Sequence, residues 1–141
     1  MKLRMKPLLL AAILLSSLTP ALAGRVIERG ELQRSPYAEV LNERLKTMAD
    51  MATLLSHVRD TASAHAAAPR LLRKLRRFQV LQASAEDTDT TRLSPEAENR
   101  YIYQQEWVMN SLRMECLRLA REKYYDSPTL AQALNKLNKA F

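Results

Sequence analysis

The sequence predicts an all-α protein, a helical bundle of two long and two short helices behind a cleaved signal peptide, and three observations carry that expectation. Only two glycines occur, Gly24 and Gly30, both ahead of the first helical segment, and the rest is rich in Ala, Leu, Arg, Lys, Glu and Met, residues that suit helices. Apolar residues recur at alternating steps of three and four, the spacing of one helix face. Proline follows serine or alanine at Ser35-Pro36, Ala68-Pro69, Ser94-Pro95 and Ser127-Pro128. Proline at a first helical position sacrifices no hydrogen bond, and a preceding serine can cap the free amides.

The N-terminus opens with Lys2, Arg4 and Lys6, an apolar run from Leu8 to Leu15, then Pro20 and Ala21-Leu22-Ala23. This is the order of a secretory signal cleaved after Ala23, and the run is too short to span a membrane. The expected layout is therefore a signal peptide over 1–23, an N-terminal segment over 24–34, and a single helical domain over 35–141. A periplasmic or secreted location and a soluble product without a membrane span follow from it. The whole chain carries +7, and removing the three signal cations leaves +4. Cys116 is the only cysteine, so no internal disulfide can form, and its helical spacing with Leu112 and Leu119 marks a small core residue.

The first helix is expected over Pro36 to Ala66, with Leu41, Leu45, Met48, Ala52, Leu55, Val58 and Ala62 as its inner stripe. The second, short and cationic, spans about Pro69 to Ala83, with Leu71, Leu72, Leu75, Phe78 and Leu81 on one side and Arg70, Arg73, Lys74, Arg76 and Arg77 around the rest. Ser84 to Arg92 lacks periodicity and reads as a loop. The third runs from about Pro95 to Tyr124, with Ile102, Met109, Leu112, Cys116 and Leu119 buried. The last begins at Pro128 and presents Leu130, Leu134, Leu137 and Phe141. A shift of 59 residues superposes Ser35-Pro36 on Ser94-Pro95 and Pro69 on Pro128, although unrelated amphipathic helices would match as well.

Most catalytic chemistries lack their residues. His57 and His65 are the only histidines and stand apart from any acid-rich ligand pattern, so no metal is expected. Phosphate loops and nucleophile elbows are missing, and no cofactor is expected. Export and sparse aromatics disfavour nucleic acid; the cations of the second helix point instead to an anionic lipid surface or acidic small molecule.

Two segments stand out together. Asn42-Glu43-Arg44-Leu45, followed by Met48, Asp50 and Ala52, lies on the first helix. Leu93-Ser94-Pro95-Glu96, followed by Tyr101-Ile102 and Gln105, opens the third. Over about residues 40 to 113 these resemble the all-helical AroQ-type chorismate mutases, especially their exported subclass, with N-E-R-L-x-x-M-x-D-x-A on one helix and L-D-P-E-x-x-x-x-F-I-x-x-Q on another. Val80-Leu81 falls at the family's spacing before the third helix. The resemblance implies an isomerase that rearranges chorismate, a small anionic substrate, to prephenate by clamping two carboxylates and stabilising charge on the ether oxygen, work that arginines can do.

It implies that Arg44 grips a carboxylate, that Arg70 or Arg73 supplies a second cation, and that Gln105 contacts substrate. It also implies a lysine eleven residues after Arg44, where this chain has Leu55, and Gln or Glu where it has Arg113. Arg113 could replace the missing charge, or the fold could persist without activity. An arginine that the family draws from beyond the third helix would have to come from a second subunit in a homodimer. The rival expectation is a non-catalytic exported helical module that binds an anionic partner or another helix. A subunit of a cell-envelope assembly, pairing between chains through apolar stripes, is a third.

Overall fold

A computed structural model describes residues 35–87 and 93–141. The chain is an all-α bundle: α1 (Pro36–Ser56), α2 (Thr61–Asp87), α3 (Pro95–Arg121), a 3-10 turn (Lys123–Asp126) and α4 (Pro128–Ala140). The signal peptide and the segment over 24–34 lie outside the described residues.

Proline opens α1, α3 and α4, as expected. Ser94 Oγ accepts from the Ala97 amide and Ser127 Oγ from the Leu130 amide, both at 3.3 Å. These caps satisfy one of the free amides that begin each helix.

The first two helices differ from expectation. α1 ends ten residues early, at Ser56, and α2 starts at Thr61 with Pro69 in its interior. The cause is a start signal at Asp60. Its carboxylate accepts from the Ser63 amide at 2.7 Å, while Ser63 Oγ accepts from the Asp60 amide at 3.0 Å. This reciprocal capping box fixes the first turn, and the Ser63 amide and hydroxyl, both donating to the Asp60 carboxylate, hold it below its ordinary pKa. Pro69 is exposed, and its missing N–H costs α2 one interior bond. Helix α2 is thus long rather than short and continues through Ser84–Asp87, part of the expected loop. Three long helices and one short one make the bundle.

Nothing in the local sequence of α1 demands its stop. Arg118 of α3 supplies the reason. Its guanidinium donates to Leu55 O at 2.8 Å, a carbonyl that also accepts the Val58 amide at 3.1 Å, and to Val58 O at 3.1 Å, and its Nε pairs with Glu115 at 2.8 Å. A cation at a helix C-terminus opposes the negative end of the helix dipole.

α1 and α3 run parallel, since Ala38 packs with Ala97, Leu41 and Leu45 with Tyr101, and Leu55 and Val58 meet Arg118. α2 and α4 run the other way, matched at His65 with Ser127 and at Phe78 with Phe141. α3 lies on α1, and α4 on α2. The main core joins Met48, Met51, Leu55, Leu71, Phe78, Leu112, Leu119, Leu130 and Leu137. Contact between α3 and α4 is sparse apart from the turn that joins them.

That turn is unusual. Lys123, Tyr124, Tyr125 and Asp126 all have positive φ, between 49° and 57°, and none is glycine. Left-handed backbone costs an L-residue about 1–2 kcal/mol. The half-buried rings of Tyr124 and Tyr125 pack against the core, and Ser127, buried and bonded to Leu130 and His65, anchors the exit.

Candidate functional site

The site is built at the end of the bundle where α1 and α3 begin. Arg44 sits one turn after Leu41, on the edge of the inner face of α1, and is half-buried. Its guanidinium carbon lies 5.4 Å from the centre of the Phe78 ring on α2, within cation–π range. Phe78 is backed by Phe141, their ring centres 4.7 Å apart, so the last residue of the chain helps to form the floor beneath Arg44.

From α3, Tyr101 closes the other side. Its ring packs on Leu41 and Leu45, and only 7% of the residue is exposed. Burial pushes the phenol pKa above its ordinary value of 10.0, Arg44 pulls against that shift, and Tyr37 adds to it. The phenol therefore stays protonated at neutral pH and feels the arginine charge.

Arg44 Nε and Tyr101 Oη are both buried without a hydrogen-bond partner. Buried donors normally find acceptors. Among the described residues Arg44 also forms no ion pair; the two ion pairs there are Lys74 with Asp50 at 3.0 Å and Arg118 with Glu115. A guanidinium, which only donates, and a neutral phenol, which can donate its O–H, together suit a carboxylate.

Of the other expected site residues, Arg70, Arg73 and Arg113 are all exposed. Arg70 and Arg73 are exposed on the outer side of α2, and it is Lys74, between them and Phe78, that reaches α1 through Asp50. Gln105 is half-buried one turn beyond Tyr101. Arg113 is exposed and lies about 18 Å from Tyr101 along the helix, given a rise of 1.5 Å per residue. It lines a separate groove of about 480 Å³ between α3 and α4, with Cys116, Leu117, Tyr124, Leu134 and Asn135. Leu55, at the position where the resembled family carries lysine, is fully buried.

Tyr101 was legible as part of a motif but not as a donor, because its partnerless hydroxyl is a tertiary fact. Cys116 is half-buried in the groove wall rather than sealed in the core, and its thiol pKa is pushed up to about 11, first by burial and then by Glu115. A thiol so raised is a poor nucleophile at neutral pH. His57 and His65 are exposed, each tied to a neighbouring oxygen.

Among the described residues, no three of His, Cys, Asp or Glu stand together as metal ligands, and no helix is long and apolar enough to cross a membrane. Compared with protein families, curated proteins and solved structures, the chain gives no match.

Proposed function

We propose that this is an exported helical protein that captures a small carboxylate-bearing ligand through Arg44 and Tyr101, as a non-catalytic counterpart of the chorismate mutases it resembles. The observation that carries the reading is the pair of buried, partnerless donors on facing helices. Arginine suits the task because its planar fork can hold both carboxylate oxygens, and the neutral phenol adds a second donor.

Binding without turnover is favoured over catalysis. Rearrangement needs a second cation near the ether oxygen, and that position is occupied by Leu55 in the apolar core, with Arg113 facing another groove. Restoring the family lysine at Leu55 would bury an ammonium among leucines, at a cost of several kcal/mol.

The test is calorimetric titration of the chain with chorismate and with prephenate, alongside optical measurement of chorismate loss. Expected are salt-sensitive binding, no turnover above background, and at least about tenfold weaker binding by Arg44→Ala, given the worth of a charged contact. Tyr101→Phe should cost less. Unchanged affinity in Arg44→Ala would remove this site, and clear turnover would replace the binding reading with the enzymatic one. The exposed arginines of α2 support a second reading, an anionic partner held on that outer face. Salt-sensitive attachment to anionic vesicles that persists in Arg44→Ala would favour it.

A further inference from the structure

Helix α3 carries two apolar seams, and only one is used by the bundle. Its buried seam is Ala97, Tyr101, Val108, Leu112 and Leu119. Two residues further on, about 200° around the helix at 100° per residue, lies a second: Tyr103, Trp107, Asn110, Met114 and Leu117. These five follow steps of four, three, four and three, the heptad spacing of a coiled-coil seam. All are exposed, Tyr103 at 71% and Met114 at 63%.

We infer that this outer seam pairs with the same seam of a second copy, antiparallel, about a two-fold axis through Asn110. Three features of the seam select that occupant. Its spacing is near-symmetric about Asn110, with Tyr103 and Leu117 seven residues to either side and Trp107 and Met114 three and four away, so the two-fold axis sets Tyr103 opposite the partner's Leu117 and Trp107 one residue from level with the partner's Met114. Aromatic rings and thioethers attract. A self-complementary patch of this kind is what an isologous dimer requires.

At the axis each Asn110 amide can both donate to and accept from the partner's Asn110, which satisfies the one polar group in the seam and fixes its register. The flanks agree. Glu106 and Arg113 are exposed, two turns apart on the same side of the seam, too far apart to pair within one helix. Antiparallel pairing places each Glu106 beside the partner's Arg113, twice over.

The four apolar side chains offer on the order of 500 Å² per copy, taking 150–250 Å² for each large side chain scaled by its exposure. The pair then buries about 1,000 Å², at the lower edge of specific interfaces, which implies a reversible dimer.

Sedimentation equilibrium on the full chain tests this. A dimer is expected at about 100 μM, a concentration suited to an interface of this size, and Met114→Glu should weaken it at least about a hundredfold while leaving the helical signal intact, since the face lies away from the core. Glu106→Arg alone should weaken association and Glu106→Arg with Arg113→Glu should restore it. Asn110→Cys, in a Cys116→Ala background, should oxidise to a covalent dimer. A monomer at that concentration overturns the proposal, as does a dimer unaffected by Met114→Glu; failure of the double charge reversal to rescue overturns the antiparallel arrangement.

Discussion

The bundle is two helical hairpins, and they are closed in opposite ways. In α1–α2 the connection is short and right-handed, held by the Asp60–Ser63 box, and the helices pack along their length with Lys74 and Asp50 bridging them. In α3–α4 the connection is a left-handed turn of four ordinary residues, and the helices splay around a groove. The two hairpins share one core, the second docked onto the first. The candidate site, formed by Arg44, Phe78 and Tyr101, takes residues from both.

The strongest way to break this contrast is Arg118→Ala. Arg118 belongs to the second hairpin but terminates the first, and its removal leaves two carbonyls and Glu115 without their cation. A loss of about 3 kcal/mol is expected in denaturant unfolding, from charged hydrogen bonds and the groups they satisfy. A loss within error of zero would mean that α1 ends for some other reason.

Lys123→Gly sharpens the contrast from the other side. Relief of left-handed backbone, about 1–2 kcal/mol, outweighs the extra entropy of an unfolded glycine, about 0.5–1 kcal/mol. The variant should therefore melt a few degrees higher. Destabilisation would show that the turn is not left-handed at this residue.

The smallest effect probes how dry the groove is. Cys116 and Tyr101 hold their protons more tightly when folded than unfolded. The thiol's contribution is thus complete below its unfolded pKa, near 9.0, and is lost as pH rises through its folded value, about 11. Unfolding measured between pH 8 and 11 should show stability falling, less steeply in Cys116→Ala. Identical slopes would mean an open, wet groove.

Much of the core was legible because the periodicity that predicts burial is also what burial rewards. Leu41, Leu45, Met48, Leu55 and Val58 on one hairpin, and Leu130, Leu134 and Leu137 on the other, are buried as expected. In α3 Leu112 and Leu119 are buried as expected, but the first half of the helix is turned by one residue from the expected phase. Ile102 is 47% exposed and Tyr101 is inside, because the helix bears apolar residues on two faces and periodicity alone does not say which is turned inward. Pro69 misled for a different reason: proline resembles a helix start, but the local capping at Asp60 had already begun the helix. Arg44 was found through a motif, while its phenol partner and the separation of Arg113 depend on how three helices are assembled.

The left-handed turn also gives folding an order. A hairpin whose closing residues are strained gains little from forming alone, which predicts that α3 and α4 condense on α1 and α2 rather than first on each other. Contacts between the hairpins then arise after the rate-limiting step, and the Arg118→Ala variant should unfold faster while refolding at nearly the original rate.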